Sequence, residues 1–238
     1  RAFPETDFTW SLTANNFGFG GLVAENWKER DRSTEEMFGE VYGAVPGEFS
    51  PIDESVPLNP SNPYAVSKAC ADLIAQQYHK TFGVDVVVAR PFNHLGPRQN
   101  EVFVGSAFAR QVAEIKLRKR DPQIYVGNID PVRDFTDVRD VVQAYLRLLD
   151  APQRFSVFNV CSGRGVAVRE ILTALCEMSG MKIDIIRDPA RTRQNEVPNI
   201  IGSAERLRTA TGWSPQIPLQ QTLADLLLYW EDRIRKSA

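Results

Sequence analysis

The sequence predicts an α/β fold with a doubly wound, mainly parallel sheet. Strand-like and helix-like segments alternate from about residue 63 onward, as they do when helices cover both faces of a parallel sheet. One predicted strand, 84–89, contains three consecutive valines, which is typical of a strand buried on both faces. The chain has 238 residues, of which 43% are hydrophobic and 24% charged, so it can bury a sizeable core.

The first predicted helix spans 63–82 and has signals at both ends. Asn62 is an N-cap candidate, Pro63 suits the first helical position, and Gly83 ends the helix. The proline-rich stretch before it, 44–62, indicates a surface loop. The alternation continues with strand 84–89, helix 103–120, strand 123–126, a helix from Asp137 to about Leu149, strand 155–160, helix 168–178, strand 182–186 and an amphipathic helix 219–236 with Leu223, Leu226, Leu227 and Trp230 on one side.

The charge balance and the cysteines exclude several kinds of protein. The 28 Lys and Arg residues against 30 Asp and Glu residues give a net charge of −2, which offers no electrostatic reason to expect nucleic acid or an anionic membrane as a partner. No stretch approaches the roughly 18 apolar residues of a membrane span, and the N-terminus lacks a signal-peptide pattern, so we expect a cytoplasmic protein. Cys70, Cys161 and Cys176 are far apart and outside any metal-ligand spacing, so we expect buried free thiols with neither a disulfide nor a metal site.

A tyrosine and a lysine near the start of the first helix form the sharpest chemical signal. Tyr64 and Lys68 are four residues apart, which places the phenol and the ammonium on one face of a helix. A phenol with an unperturbed pKa of about 10 exchanges protons poorly near neutral pH, and a neighbouring cation lowers that pKa towards the working range. The pattern indicates an acid/base pair, although an exposed helix can show the same spacing by chance.

Three runs of residues resemble the extended short-chain dehydrogenases/reductases that act on nucleotide sugars. They are 62–68 (NPYAVSK), 89–99 (ARPFNHLGPRQ) and 133–141 (RDFTDVRDV), and the runs 158–163 (FNVCSG) and 212–215 (GWSP) add to them. The resemblance covers about 39–236 and is strongest to the branch that reduces GDP-linked 4-keto-6-deoxyhexoses. It implies a Rossmann-like catalytic domain over 39–165, a small substrate-binding subdomain mostly over 166–238, and an atypical segment over 1–38.

The resemblance also implies roles for residues at the reacting carbon. Tyr64 matches the general acid that gives its proton to the C4 oxygen as hydride arrives from the cofactor, which is NADP, with NAD as the other possibility. Lys68 matches the residue that tunes this tyrosine and holds the nicotinamide ribose, and Pro91 and His94 match cofactor-contacting positions. Glu40 matches a position where dehydratase relatives carry a catalytic base, so its presence does not separate reduction from dehydration.

A second group of residues matches family positions that contact the GDP-hexose. Asn93 and Gly39 are the candidates for orienting the sugar. Arg133 and Arg193 are the candidates for binding the diphosphate, because guanidinium groups bind phosphate oxygens in pairs. Glu196 stands where the family has an acidic residue for ribose hydroxyls. We expect Arg133 in a loop just before a helix; taken singly, either arginine is more often a surface charge.

The chain departs from the family before Gly39. The turn of spaced glycines that cradles the cofactor pyrophosphate is absent, since the cluster 18–21 does not follow a hydrophobic strand. We therefore expect about half of the nucleotide-binding domain to be missing from this chain. Met37 and Phe38 stand where relatives have two hydroxyl residues, one of which hydrogen-bonds the C4 oxygen.

These features leave three interpretations open. The first is a reductase that converts a GDP-linked 4-keto-6-deoxyhexose to the GDP-6-deoxyhexose, of GDP-rhamnose type. The second is a GDP-mannose 4,6-dehydratase or a nucleotide-sugar epimerase, and the third is a weak or inactive remnant that binds a nucleotide sugar. The helices 63–82 and 103–119 match those of a dimer interface in relatives, so we expect a homodimer, although their apolar stripes equally suit core packing.

Overall fold

The computed structural model describes residues 12–13, 17–18, 40–43, 45, 50–150, 156–188 and 197–237. The first elements are short. Strands β1 (Leu12–Thr13) and β2 (Phe17–Gly18) pair antiparallel, and a 3₁₀ turn spans Glu40–Tyr42. This turn is the first element that bears on the candidate site.

Helix α1 (Pro63–Phe82) begins and ends where its local signals predict. The Asn62 side chain accepts a hydrogen bond from the backbone N of Ala65 at 2.8 Å. Gly83 takes the left-handed conformation at φ 66° and closes the helix. The other helices are α2 (Val104–Lys116), α3 (Val138–Asp150), α4 (Val168–Ser179), α5 (Glu205–Thr211) and α6 (Leu219–Lys236), of which α5 is not among the predicted helices.

Within the described residues, no helix combines the length and the apolar character needed to cross a bilayer.

The strands pair mainly in parallel, as the predicted fold class requires. Strand β3 (Val87–Pro91) pairs with β7 (Ser156–Val160), β5 (Gln123–Val126) with β9 (Asp184–Arg187), and β6 (Val132–Asp137) with β4 (Asn93–Leu95) and β10 (Asn199–Ile200). Strand β8 (Gly165–Ala167) joins β6 antiparallel. Helices separate the parallel strands along the chain, so the α/β prediction is confirmed.

Three details differ from the sequence predictions. The segment around Arg133 is strand β6 rather than a loop, because the carboxylates of Asp134 and Asp137 are buried and hydrogen-bonded instead of exposed. Strand β3 is half-buried at all five residues rather than buried on both faces, and β7 is the one described strand that pairs with it. Of the cysteines, only Cys161 is fully buried, and Cys70 is exposed because its side of α1 faces away from the core.

Two clusters of buried side chains hold the elements together. The first lies among α2, α4, α6 and β5 and includes the predicted apolar face of α6. The apolar side of α2 packs within this cluster against α4 and α6. The second cluster lies among the 3₁₀ turn, α3, α5 and β7 and includes Tyr42, Phe158 and Trp213. Both clusters draw on residues before and after position 165, where the predicted domain boundary stays a prediction.

Candidate active site

Tyr64 and Lys68 lie in the first turns of α1, and both are half-buried. The Lys68 ammonium lies 5.2 Å from the centre of the Tyr64 ring, so the four-residue spacing brings the two groups together. Burial lowers the pKa of Lys68 below its usual value of 10.5. A cation partly withdrawn from water acts on a neighbouring phenol more strongly than a solvated one. The arrangement therefore suits proton exchange at the phenol.

The 3₁₀ turn lies against the segment that leads into α1. The backbone N of Asn59 donates to the Val41 carbonyl at 3.0 Å. Gly43 has a φ of +63°, and a β carbon there would lie 1.8 Å from the Asn59 carbonyl oxygen. Glycine is needed at this position for both reasons. The close contact brings the backbone of the turn next to the helix that carries Tyr64.

Pro91 is the last residue of β3, and Asn93 and His94 lie in the three-residue strand β4 that follows it, near the carboxyl ends of the strands, where open α/β sheets bind ligands. Three buried polar atoms near this edge find no hydrogen-bond partner among the described residues: Asn93 Oδ1, Gln99 Oε1 and Thr136 Oγ1. Gln99 Nε2 donates to the His94 carbonyl at 2.8 Å, and Thr136 is the register partner of His94 on β6. Buried polar atoms without partners are uncommon, and here they favour a polar ligand or water at the strand ends.

The His94 ring is held against the backbone of the same segment. Its Nδ1 lies 3.2 Å from the Phe92 carbonyl oxygen. Burial lowers the pKa of His94 below its usual value of 6.5, against the opposing effect of this contact. The imidazole is therefore neutral at pH 7, and it can contact a ligand without adding charge.

The Arg133 guanidinium contacts the backbone of its own strand, β6, and of the residue before β10. Its Nη1 donates to the Val132 carbonyl at 2.9 Å and lies 3.4 Å from the Pro198 carbonyl. Arg133 thus ties β6 to the residue that precedes β10. Because the predicted loop is a strand, the position of Arg133 is fixed by the ladder between β6, β8 and β10.

Several predicted site residues lie outside the described part of the chain. They are Gly39, Arg193 and Glu196, together with the side chain of Glu40. Met37 and Phe38, the positions that depart from the family, also lie outside it. The roles of these residues stay predictions.

Two buried polar groups beside the site are not among the sequence candidates. One is Asp134, which accepts hydrogen bonds from the backbone N of Ser162 and of Gly163. The other is the ion pair between Arg90 and Asp72, whose Nε and Oδ2 atoms are 2.7 Å apart. The residues that bond to these groups are distant in sequence. The one feature of the local sequence that could have indicated them is a charged residue inside an otherwise apolar segment.

A family model described as GDP-mannose 4,6 dehydratase matches residues 24–226. That match covers most of the chain and includes both the Tyr64–Lys68 pair and the strand ends. The chain belongs to this family. Solved structures match the fold described above, among them a dTDP-glucose 4,6-dehydratase from Bacillus anthracis with a TM-score of 0.72 and 27% identity, over 84% of this chain and 61% of the other.

Two relatives and one solved structure illustrate the similarity. The GDP-6-deoxy-D-mannose reductase of Pseudomonas aeruginosa is 44% identical over 198 residues, which are 83% of this chain and 65% of the relative. The GDP-6-deoxy-D-talose 4-dehydrogenase of Aggregatibacter actinomycetemcomitans is 33% identical over 68% of this chain and 52% of its own length. The structure of RMD from Pseudomonas aeruginosa complexed with NADPH matches with a TM-score of 0.79 and 43% identity, over 83% of this chain and 65% of the other. The chain thus spans less than two thirds of the length of these relatives.

Proposed function

We propose that this protein reduces a GDP-linked 4-keto-6-deoxyhexose to the GDP-6-deoxyhexose, with NADPH as the reductant and NADH as the other possible donor. The observation that carries the proposal is the half-buried Tyr64–Lys68 pair, with the ammonium 5.2 Å from the ring centre. The relative from Pseudomonas aeruginosa, named as a GDP-6-deoxy-D-mannose reductase and solved with NADPH, supports this choice of substrate and cofactor.

The reaction adds a hydride to C4 of the sugar and a proton to its C4 oxygen. When bound, NADPH would supply the hydride for the new C4–H bond and leave as NADP⁺. The O–H bond of Tyr64 breaks, and its proton goes to the C4 oxygen, which becomes the hydroxyl of the product. Lys68 stabilises the phenolate that remains on Tyr64 until solvent restores the proton.

The described residues fit the nicotinamide end of such a cofactor. Lys68 offers a half-buried ammonium for ribose hydroxyls beside Tyr64. Pro91 ends β3 and the neutral His94 lies in β4, next to Asn93 Oδ1, which has no hydrogen-bond partner among the described residues. We assign Tyr64, Lys68, Pro91 and His94 to cofactor binding on this ground.

The nucleotide sugar is assigned to a second set of residues. Asn93 has a buried amide oxygen without a partner among the described residues, which suits a sugar hydroxyl. Arg133 carries five N–H donors, and the two backbone carbonyls at its Nη1 fix the orientation in which the guanidinium would meet a diphosphate. Gly39, Arg193 and Glu196 are added because they match the family positions.

The test is the oxidation of NADPH by GDP-4-keto-6-deoxymannose in the presence of the protein. Tyr64→Phe removes the proton donor, so we expect kcat to fall by at least about 100-fold. Tyr125→Phe, at an exposed tyrosine on β5 away from the proposed site and dimer surface, is the matched control and should keep the wild-type rate. An unchanged rate in Tyr64→Phe would show that another group is the acid.

A dehydratase or epimerase is the second candidate, favoured by the position of the Glu40 turn against the segment leading into α1. Incubation with GDP-mannose, without a keto sugar, separates this candidate from reduction. Consumption of GDP-mannose would favour dehydration or epimerisation. Absence of NADPH binding in a calorimetric titration would favour the third interpretation, a remnant that binds only a nucleotide sugar.

A homodimer through α1 completes the proposal. The large apolar residues Leu73, Tyr78 and Phe82 of α1 are 57%, 54% and 68% exposed. The predicted interface also includes α2, but its large apolar side chains pack in the core, so α1 is the better-supported surface. Light scattering should show that Leu73→Asp shifts the protein to monomer, whereas Leu228→Asp on α6, at an equally exposed leucine, leaves the dimer intact. A cytoplasmic location stays a prediction.

A further inference from the structure

A buried chain of hydrogen bonds links the 3₁₀ turn to three other elements. The Tyr42 side chain lies in the core, and its hydroxyl donates to Asn159 Oδ1 on β7 at 2.7 Å. The same hydroxyl accepts from Arg90 Nη1 on β3 at 2.8 Å. Arg90 Nε in turn donates to Asp72 Oδ2 on α1 at 2.7 Å. One guanidinium therefore contacts both the turn and the helix.

The chain reaches the elements on which the proposed chemistry depends. Asp72 lies four residues after Lys68 and eight after Tyr64, so the three side chains lie on one side of α1. Tyr42 lies two residues after Glu40. Arg90 directly precedes Pro91, at the end of the strand assigned to the cofactor.

Stability alone gives a weak reason for this arrangement. The side chains of Arg90 and Asp72 are only 10% and 7% exposed, and burying two charges costs free energy that their attraction only partly recovers. Apolar residues of similar volume often stabilise a core at least as well. Burial raises the pKa of Tyr42, against the opposing effect of Arg90, so the phenol keeps its proton and remains a donor to Asn159. The arrangement does provide a fixed distance and direction between four elements.

We propose that Tyr42 and Arg90 are positioning residues that hold α1 at Asp72, and so Tyr64 about two turns earlier, at a fixed place relative to the 3₁₀ turn and the end of β3. The inference rests on the proposed function, because it concerns the proton that Tyr64 gives. The proposed effect is indirect, because it acts through the position of α1. A small displacement of a reacting group is enough to slow a proton transfer while leaving substrate binding nearly intact.

The experiment is a double-mutant cycle that combines Tyr42→Phe with Tyr64→Phe. Tyr42→Phe removes the bridging hydroxyl and keeps the ring in the core. We expect kcat to fall about tenfold with KM for NADPH and for the sugar within about twofold of wild type. In the Tyr64→Phe background the same change should have almost no effect on the residual rate, because no phenol is left to position. Tyr145→Phe, which removes a hydroxyl from a tyrosine packed on the same core cluster, is the control and should keep the wild-type kcat.

The outcomes separate this inference from the proposed function. An equal loss of kcat from Tyr42→Phe in both backgrounds, or no loss in either, would overturn the positioning role. If the wild-type protein does not reduce the keto sugar at all, the proposed function fails, and amide hydrogen exchange then decides the inference. Faster exchange at residues 63–68 in Tyr42→Phe than in Tyr145→Phe would support it, and equal exchange would overturn it.

Discussion

Two buried carboxylates in this molecule are stabilised in different ways. Asp72 on α1 meets a full charge, the guanidinium of Arg90, at 2.7 Å. Asp134 on β6 is completely buried and accepts hydrogen bonds from backbone N–H groups and one hydroxyl, without an arginine among its described partners. Burial raises the pKa of Asp134, and these hydrogen bonds oppose the rise.

The two carboxylates differ in how much of their stabilisation a single side-chain substitution can remove. Among the described residues, Asp72 has one charged partner, Arg90, and one neutral donor, the Gln76 amide, so losing Arg90 leaves a buried carboxylate without a compensating charge. The Asp134 region takes three of its donors from the backbone of Ser162, Gly163 and Gly202, which a side-chain change leaves in place. We therefore expect substitution of Arg90 to destabilise the region around Asp72. The region around Asp134 should be destabilised mainly by substitution of Asp134 itself.

Arg90→Met tests the first region and has the largest expected effect. Methionine keeps much of the side-chain volume but leaves the buried Asp72 carboxylate with only the neutral Gln76 amide as a described side-chain donor, so we expect the free energy of unfolding to fall by about 3–5 kcal/mol. Urea unfolding followed by circular dichroism measures the change. Arg235→Met, at an exposed arginine that pairs with Glu231, is the control and should cost less than about 1 kcal/mol. A loss as small as the control's would mean that the ion pair does not hold α1.

Asp134→Asn tests the second region. Both carboxylate oxygens accept from N–H groups, so the NH₂ of an asparagine must face a backbone donor whichever way the amide turns. We expect unfolding to become easier by about 2–3 kcal/mol in the same urea experiment. Asp184→Asn, at an exposed carboxylate on β9, should change stability by less than about 0.5 kcal/mol. Equal losses of stability in Asp134→Asn and Asp184→Asn would mean that a buried carboxylate bonded by backbone N–H groups contributes no more to stability than an exposed one.

The features that sequence analysis could predict are those whose cause is local. Asn62 and Gly83 bound α1 because caps act over a few residues, and Tyr64 and Lys68 meet because they lie one helical turn apart. The sequence placed Arg133 in a loop because charged residues at 133, 134 and 137 break the apolar pattern of a buried strand. The burial of Asp134 depends on donors 28 to 68 residues away, and no local pattern carries that information.

The same limit applies to the candidate site. The motifs locate the acid/base pair and the strand-end residues, and the family match supports the assignment. In the chain of hydrogen bonds, Tyr42 and Arg90 are 48 residues apart in sequence, and Arg90 and Asp72 are 18 apart. Only the folded arrangement brings these side chains together.

Ser162→Ala sharpens the comparison at smaller magnitude. The Ser162 hydroxyl donates to Asp134 Oδ1 at 2.6 Å, but the backbone donors remain when it is removed. We expect a loss of about 1 kcal/mol in the free energy of unfolding, well below that of Arg90→Met. Ser55→Ala, where a serine hydroxyl donates to the exposed Asp53, is the matched control and should be close to neutral. A loss as large as that of Arg90→Met would show that the Ser162 hydroxyl, and not the backbone N–H groups, provides most of the stabilisation of the Asp134 carboxylate.

A pH titration of stability tests the strand ends that lie between the two regions and has the smallest expected effect. Burial lowers the pKa of His94 below 6.5, so between that value and the folded pKa the unfolded chain binds more protons than the folded one. The stabilisation from neutral His94 is complete above about pH 6.5 and is lost as the pH falls through the range below it. Wild type should therefore lose more stability between pH 7.5 and pH 5.5 than His94→Gln, in urea unfolding at each pH. His79→Gln, the same substitution at the other histidine, is the control. Identical pH dependence in wild type and His94→Gln would mean that the strand ends accept a charged imidazole, and that His94 does not contact the ligand as a neutral group.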